Sequence, residues 1–189
     1  MSVQVTVKSE DVERVKGILS GIPGGAQKAM SAAINRGLSK VRTSSYKEVR
    51  KVYTADNAAM RANTSTSMKS ASGGNMVGYI RFSGTKIPLY KFTVSPKAAN
   101  TRQQVSAGLM KGNMTPFTSA FITVVGSGHI GVFERKGVKR YPIEEKVGLS
   151  MAQMVGNSDV SEEVANAAQE VVDQRLEHEI NRILNSYGG

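Results

Sequence analysis

The sequence predicts an α+β fold: long N-terminal helices packed on an antiparallel β-sheet, with a C-terminal helix. Three observations carry this. Apolar residues step by three and four over residues 26–53 and again over 159–186. Between those stretches the period falls to two in short runs at 76–82, 117–125 and 130–135. Helical and strand patterns are also segregated along the chain instead of alternating, which points away from a parallel sheet.

Val3, Val5 and Val7 alternate with polar residues, the period of a short half-buried strand. Ser9 then reads as an N-cap, with Glu10, Asp11 and Glu13 in a first turn where the helix dipole favours negative charge. Val12, Val15, Ile18 and Leu19 form the apolar face of that helix, and Gly21-Ile22-Pro23-Gly24-Gly25 breaks it. The long helix that follows has Met30, Ala33/Ile34, Leu38, Val41, Ser45, Val49 and Val52 on its apolar face. Arg36, Lys40, Thr43, Lys47 and Arg50/Lys51 step along the opposite side. Thr54 is placed to cap a short helix at 55–62.

Strands are expected at 76–82 and 87–94, with Gly84-Thr85 as the turn and Pro88 at an edge or bend. Residues 95–115 are polar, with a weak strand signal at 102–110, and predict a protruding loop or hairpin. Strands 117–125 and 130–135 are joined by Gly126-Ser127-Gly128, a hairpin turn, and Gly137 turns the chain again. Ser150 caps a short helix bearing Met151, Met154 and Val155. The last helix presents Val160, Val164, Ala167/Ala168, Val171, Leu176, Ile180, Ile183/Leu184 and Tyr187, and Gly188-Gly189 follows it. The expected division is a core over 1–156 carrying the 95–115 excursion, then an acidic C-terminal helix over 157–189 for subunit or partner contact.

With no cysteine, disulfide scaffolds, cysteine-ligated zinc and thiol catalysis are excluded. The first residues lack the charged start and apolar run of a signal peptide. No stretch approaches the roughly 18–20 apolar residues of a membrane span. The chain is 40% hydrophobic but 6% aromatic with no Trp, a modest core that suits a subunit gaining stability from neighbours. Charge is unevenly placed: +6 over residues 1–63, +9 over 64–149 and −5 over 150–189. A basic body with an acidic tail helix predicts electrostatic pairing, within the fold or between subunits, and nucleic acid is the other partner such a body suits.

Residues 116–150 carry a distinctive block: Pro116-Phe117, Ala120-Phe121-Ile122, Gly128-His129-Ile130-Gly131-Val132-Phe133-Glu134-Arg135, Arg140-Tyr141-Pro142-Ile143-Glu144 and Gly148-Leu149-Ser150. This resembles the prophage minor tail protein Z family. There, a strand ending in Ala-Phe leads through a Gly-His-x-Gly-Val-Phe-x-Arg hairpin to an Arg-x-Pro-Ile segment. Ala33-Ile34-Asn35-Arg36 and Phe92-Thr93-Val94-Ser95-Pro96-Lys97 also have counterparts, so the resemblance touches most of residues 25–155. It implies a structural, non-enzymatic protein of a phage or phage-derived tail. Such a protein acts at the head-proximal end and permits joining to the head–neck. Rings matched to six-fold tail symmetry are common among such components, so a hexameric ring is implied. Further implied partners are the tail tube or tail terminator and neck proteins, and passing double-stranded DNA. The implied location is the virion, assembled in the host cytoplasm, with no membrane and no cofactor.

Two basic groups are candidate partner or DNA contacts: Arg36, Lys40, Lys47, Arg50 and Lys51 on the long helix, and Arg135, Lys136, Lys139 and Arg140 around the Gly137 turn. The plainer reading of each is a solvated surface. Tight phosphate binding would hinder sliding DNA, so protein partners are expected for part of the helix stripe. Glu162, Glu163, Glu170, Asp173 and Glu177, with Glu179, offer the acidic counterpart on a neighbouring subunit. His129 and Glu134 fall on opposite faces of one strand and cannot pair as acid and base. Gly126, Gly128 and Gly131 spell G-x-G-x-x-G, but strand residues follow where a dinucleotide site needs a helix. The alternative to a tail structural role is a sequence-independent DNA-binding protein of the virion.

Overall fold

The computed structural model describes residues 1–126 and 128–187. Ser127, in the expected hairpin turn, and the closing Gly188-Gly189 lie outside the described residues. The fold is α+β, with three small sheets where one was expected, and it divides into two compact units. The first comprises Met1–Glu48, Thr66–Phe82 and the chain from Gly156 onward; the second comprises Val49–Ser65 and Ser83–Val155.

The first unit begins with β1 (Ser2–Val5) and α1 (Ser9–Ile18), then holds most of α2 (Gly25–Val52). The cap of α1 differs from expectation: Ser9 is already helical, Lys8 occupies the N-cap, and no side chain caps there. The acidic first turn still matches the dipole, with Glu10 and Asp11. Along α2, Met30, Ala33, Ile34, Leu38 and Val41 are buried, and Ser45 joins them because its hydroxyl donates to the Val41 carbonyl at 2.7 Å. Asn35 clamps the helix to the chain at Ala71, donating to its carbonyl at 3.1 Å and accepting from its N–H at 2.8 Å.

β2 (Thr64–Lys69) and β3 (Gly78–Gly84) complete a sheet of order β1-β3-β2. β3 starts directly on α2. A Cβ at Gly78 would lie 2.6 Å from Leu38 and 2.8 Å from Ile34, so only glycine permits the approach. The last helix, α5 (Ser158–Tyr187), buries Val160, Val164, Ala168, Val172, Leu176, Ile180 and Ile183. The buried valine is Val172 and not the expected Val171, while Leu184 and Tyr187 are exposed. α5 also meets α2: a Cβ at Gly37 would fall 2.5 Å from Val172 and 3.0 Å from Val5.

In the second unit, α3 (Asn57–Ala62) is capped by Asp56, which accepts from the Ala59 N–H at 2.8 Å. Thr54, the expected cap, instead donates to the Gly108 carbonyl and accepts from the Thr93 N–H. The expected strand at 87–94 is interrupted. Pro88 has no N–H to extend a ladder, and a 3-10 turn at Leu89–Lys91 intervenes before β4 (Thr93–Ser95). β5 (Val105–Gly108), inside the weak strand signal at 102–110, is the middle strand of β4-β5-β6, with β6 at Thr115–Phe117. The third sheet is β7 (Ala120–Val125), β8 (His129–Arg135) and β9 (Ile143–Glu145), in that order.

Leu89, Val94, Val105, Ala107, Ile122 and Val132 make one buried cluster in this unit. α4 (Met151–Val155) buries Met151, Met154 and Val155. Ser150 caps it as expected, in a reciprocal box: its hydroxyl accepts from the Gln153 N–H at 3.4 Å, and Gln153 accepts from the Ser150 N–H at 3.0 Å.

Candidate partner-binding face

β8 pairs antiparallel with β7 (Phe121 opposite Phe133, Val125 opposite His129) and with β9 (Phe133 opposite Glu145, Arg135 opposite Ile143). Strand alternation therefore splits the distinctive block in two. Val132 turns into the buried cluster with Ile122, and Ile130 packs against it. His129, Gly131, Phe133 and Arg135 share the opposite, outer face with Phe121, Ile143 and Glu145.

The outer face is interlocked. His129 Nε2 lies 2.8 Å from Glu145 Oε1, and the His129 ring meets Phe133 edge-on, centroids 6.3 Å apart. Phe133, 5% exposed, lies 6.5 Å from Phe121. The Arg135 guanidinium sits 5.0 Å from the centre of the Phe121 ring and donates to the Arg140 carbonyl. Gly131 makes room for this: a Cβ there would fall 2.6 Å from the Glu145 carboxylate and 3.0 Å from the Phe133 ring. Glu145 had no sequence signal, because its role comes from β9 lying beside β8. Glu134 faces away from His129, as alternation requires, and pairs with Lys146.

The loop after β8 carries the basic turn. Lys136 is spent on Glu144 at 3.2 Å. Arg140 lies 5.8 Å from the Tyr141 ring, and Arg135, Lys139 and Arg140 form no ion pair among the described residues. Val138 at the tip is fully exposed and Tyr141 is 64% exposed. A hollow of about 220 Å3 opens beside this loop, lined by Asn100, Phe121, Thr123, Arg135, Arg140 and Tyr141 among others. A larger one of about 400 Å3 is lined by Glu134, Arg135, Lys136, Glu144, Glu145 and Lys146, all of which except Arg135 already have an ionic or hydrogen-bonded partner across the β8–β9 pair.

On α2, Arg36, Lys40, Lys47, Arg50 and Lys51 are all exposed, the first three in the first unit and the last two in the second. On α5 the acidic residues divide. Asp173 pairs with Lys8 at 3.0 Å, and Glu177 pairs with Arg14. The hydrogen bond to Asp173 holds the Lys8 ammonium above its usual pKa, and Glu177 with Asp11 does the same for Arg14. Glu162, Glu163 and Glu170 are exposed. Glu179 is 2% exposed and held between Arg175 and Arg182 of its own helix, so it is not the available partner the sequence suggested. Among the described residues no cluster of His, Asp or Glu could hold a metal ion, and no helix is long and apolar enough to cross a membrane.

Neither a curated protein nor a solved structure matches the chain. The model of one family, prophage minor tail protein Z, matches residues 15–187. That span takes in α2, the interlocked face of β8 and its basic loop, and the whole of α5. The chain belongs to the prophage minor tail protein Z family and is a minor protein of a phage tail.

Proposed function

We propose that this protein completes the head-proximal end of the tail and prepares it for joining to the head–neck, as a ring of subunits. The observation that carries the reading is the outer face of β7, β8 and β9. Its His129 and Phe133 are held by Glu145 and Phe121, and Arg135 is anchored by one hydrogen bond to the Arg140 carbonyl, which stiffens a surface bearing an exposed basic lip. A stiff surface with an exposed lip suits holding a protein better than turning over a substrate. Partners on this reading are a second copy of the chain, the tail tube or terminator, and neck proteins. Glu162, Glu163 and Glu170 on the acidic helix serve subunit contact, as do the tip of the 95–115 segment and the cations of α2. The site of action is the virion, and no covalent chemistry or cofactor is assigned.

Light scattering on the purified protein, at low and high salt and with isolated tails, tests this. A particle of roughly six subunits, or a monomer that forms one on tails, is expected. A salt-insensitive monomer that binds neither tails nor itself would overturn it. The exposed stripe on α2 favours a second reading, sequence-independent contact with passing double-stranded DNA. That reading requires duplex binding that weakens steeply as salt rises.

A further inference from the structure

We infer that the hollow beside the β8–β9 loop is a carboxylate-binding site, taking an acidic side chain of a peptide segment on a partner tail protein. The inference rests on the reading of this face as a protein contact. Both arginines at the hollow are held by aromatic rings and not by carboxylates, Arg135 on Phe121 and Arg140 on Tyr141. Ring contact fixes a guanidinium while leaving its N–H donors free. Arg135 gives one donor to the Arg140 carbonyl. Thr123 donates to Asn100 Oδ1 at 3.1 Å, which leaves the Asn100 amide as a further donor. Around the Thr123 and Tyr141 hydroxyls the hollow thus gathers two guanidiniums and an amide with donors to spare, and that excess of charged donors favours an anion.

The neighbouring acids do not compete. Glu134, Glu144 and Glu145 are engaged by Lys146, Lys136 and His129 in turn. That leaves Arg135, Lys139 and Arg140 of the loop without an ion pair, against the charge of Glu145, a short positive excess that matches one or two carboxylates. A duplex, with a charge about every 1.7 Å, calls for a longer track of cations. Exposed Val138 and Tyr141 give the rim apolar surface for a side chain flanking the acid.

The test is a titration of the isotopically labelled protein, followed by NMR, with a terminally blocked hexapeptide of alternating Glu and Leu. The Gln/Leu analogue and a short DNA duplex are the comparisons. Expected are shifts at Asn100, Phe121, Thr123, Tyr141 and the two guanidiniums, with the Gln peptide about ten-fold weaker. Arg140→Gln should weaken the Glu peptide about five- to ten-fold, with the spectrum elsewhere unchanged, and Arg140→Lys should restore part of the loss. No shift at the hollow, or equal shifts with the Gln peptide, overturns the site. Shifts there with the duplex but not the peptide replace it by a nucleic-acid contact. If the peptide fails while the protein still assembles on tails, the hollow is refuted and the tail-completion reading stands. If the peptide binds but tails are ignored, the reverse holds.

Discussion

Glu179 is buried, where a charge needs full compensation. Burial alone would raise its pKa, but the hydrogen bond from Arg182 and the charges of Arg175 and Arg182 outweigh it and hold the carboxylate below its ordinary value. A lowered folded-state pKa means the contribution to stability is complete above the unfolded pKa and is lost as pH falls through the folded one. Glu179→Gln should therefore cost about 1–2 kcal/mol near neutrality, the flanking arginines being exposed enough to regain water. The gap from wild type should close as pH drops below the carboxylate range. Thermal melts of both proteins across acid pH measure it, and a gap that persists at the lowest pH would show that packing, not charge, sets the cost. At this scale the sequence was half legible. It marked His129, Gly131, Phe133 and Arg135 within one block, and the pairing of β8 in the structure puts them on one face. It could not reveal Glu145, because a partner sixteen residues away meets His129 only through the β8–β9 register.

Helices read more clearly than strands did, for a physical reason. A helix of 28 residues such as α2 repeats its pattern many times, so its bounds and buried face emerge from the sequence alone. A three-residue strand such as β4 or β9 has no period to read, and only its neighbours make it a strand. The cap expected at Thr54 falls to Asp56, because Thr54 is drawn instead to the Gly108 carbonyl and the Thr93 N–H, partners remote in sequence. In α5 the ambiguity was of phase: Val171 and Val172 both continue a three-and-four pattern from Ala168 or Ala167. The helix resolves it by burying Val172 against Gly37 of α2. Val172→Ala should cost about 1–3 kcal/mol, since it opens a cavity where no backbone can collapse. Val171→Ala, on a half-buried side chain, should cost clearly less. Chemical denaturation of the two variants decides the phase, and equal losses would contradict this packing.

Over the whole chain, the uneven charge was legible as a number and only partly as a structure. Two acids of α5 pair with Lys8 and Arg14 of the same chain, while Glu162, Glu163 and Glu170 stay exposed. The helix thus has two separable contributions. Its apolar side fills the first unit with seven buried side chains from Val160 to Ile183. Its exposed acids offset a strongly basic body: losing the −5 of residues 150–189 would take the chain from +10 to +15. Cutting the chain before Ser158 removes both contributions, and the first unit should lose its structure, since such a loss of buried area far exceeds a margin of about 5–15 kcal/mol. Replacing Glu162, Glu163 and Glu170 by Gln removes only the surface charge. That variant should melt close to wild type, each change being worth about 0.5 kcal/mol or less, yet assemble on tails less well if these acids serve subunit contact. Circular dichroism and light scattering on the two variants separate the contributions. A truncated chain that kept its remaining helix content and stayed soluble would mean that α5 is an appendage, and the core of the first unit would have to be sought without it.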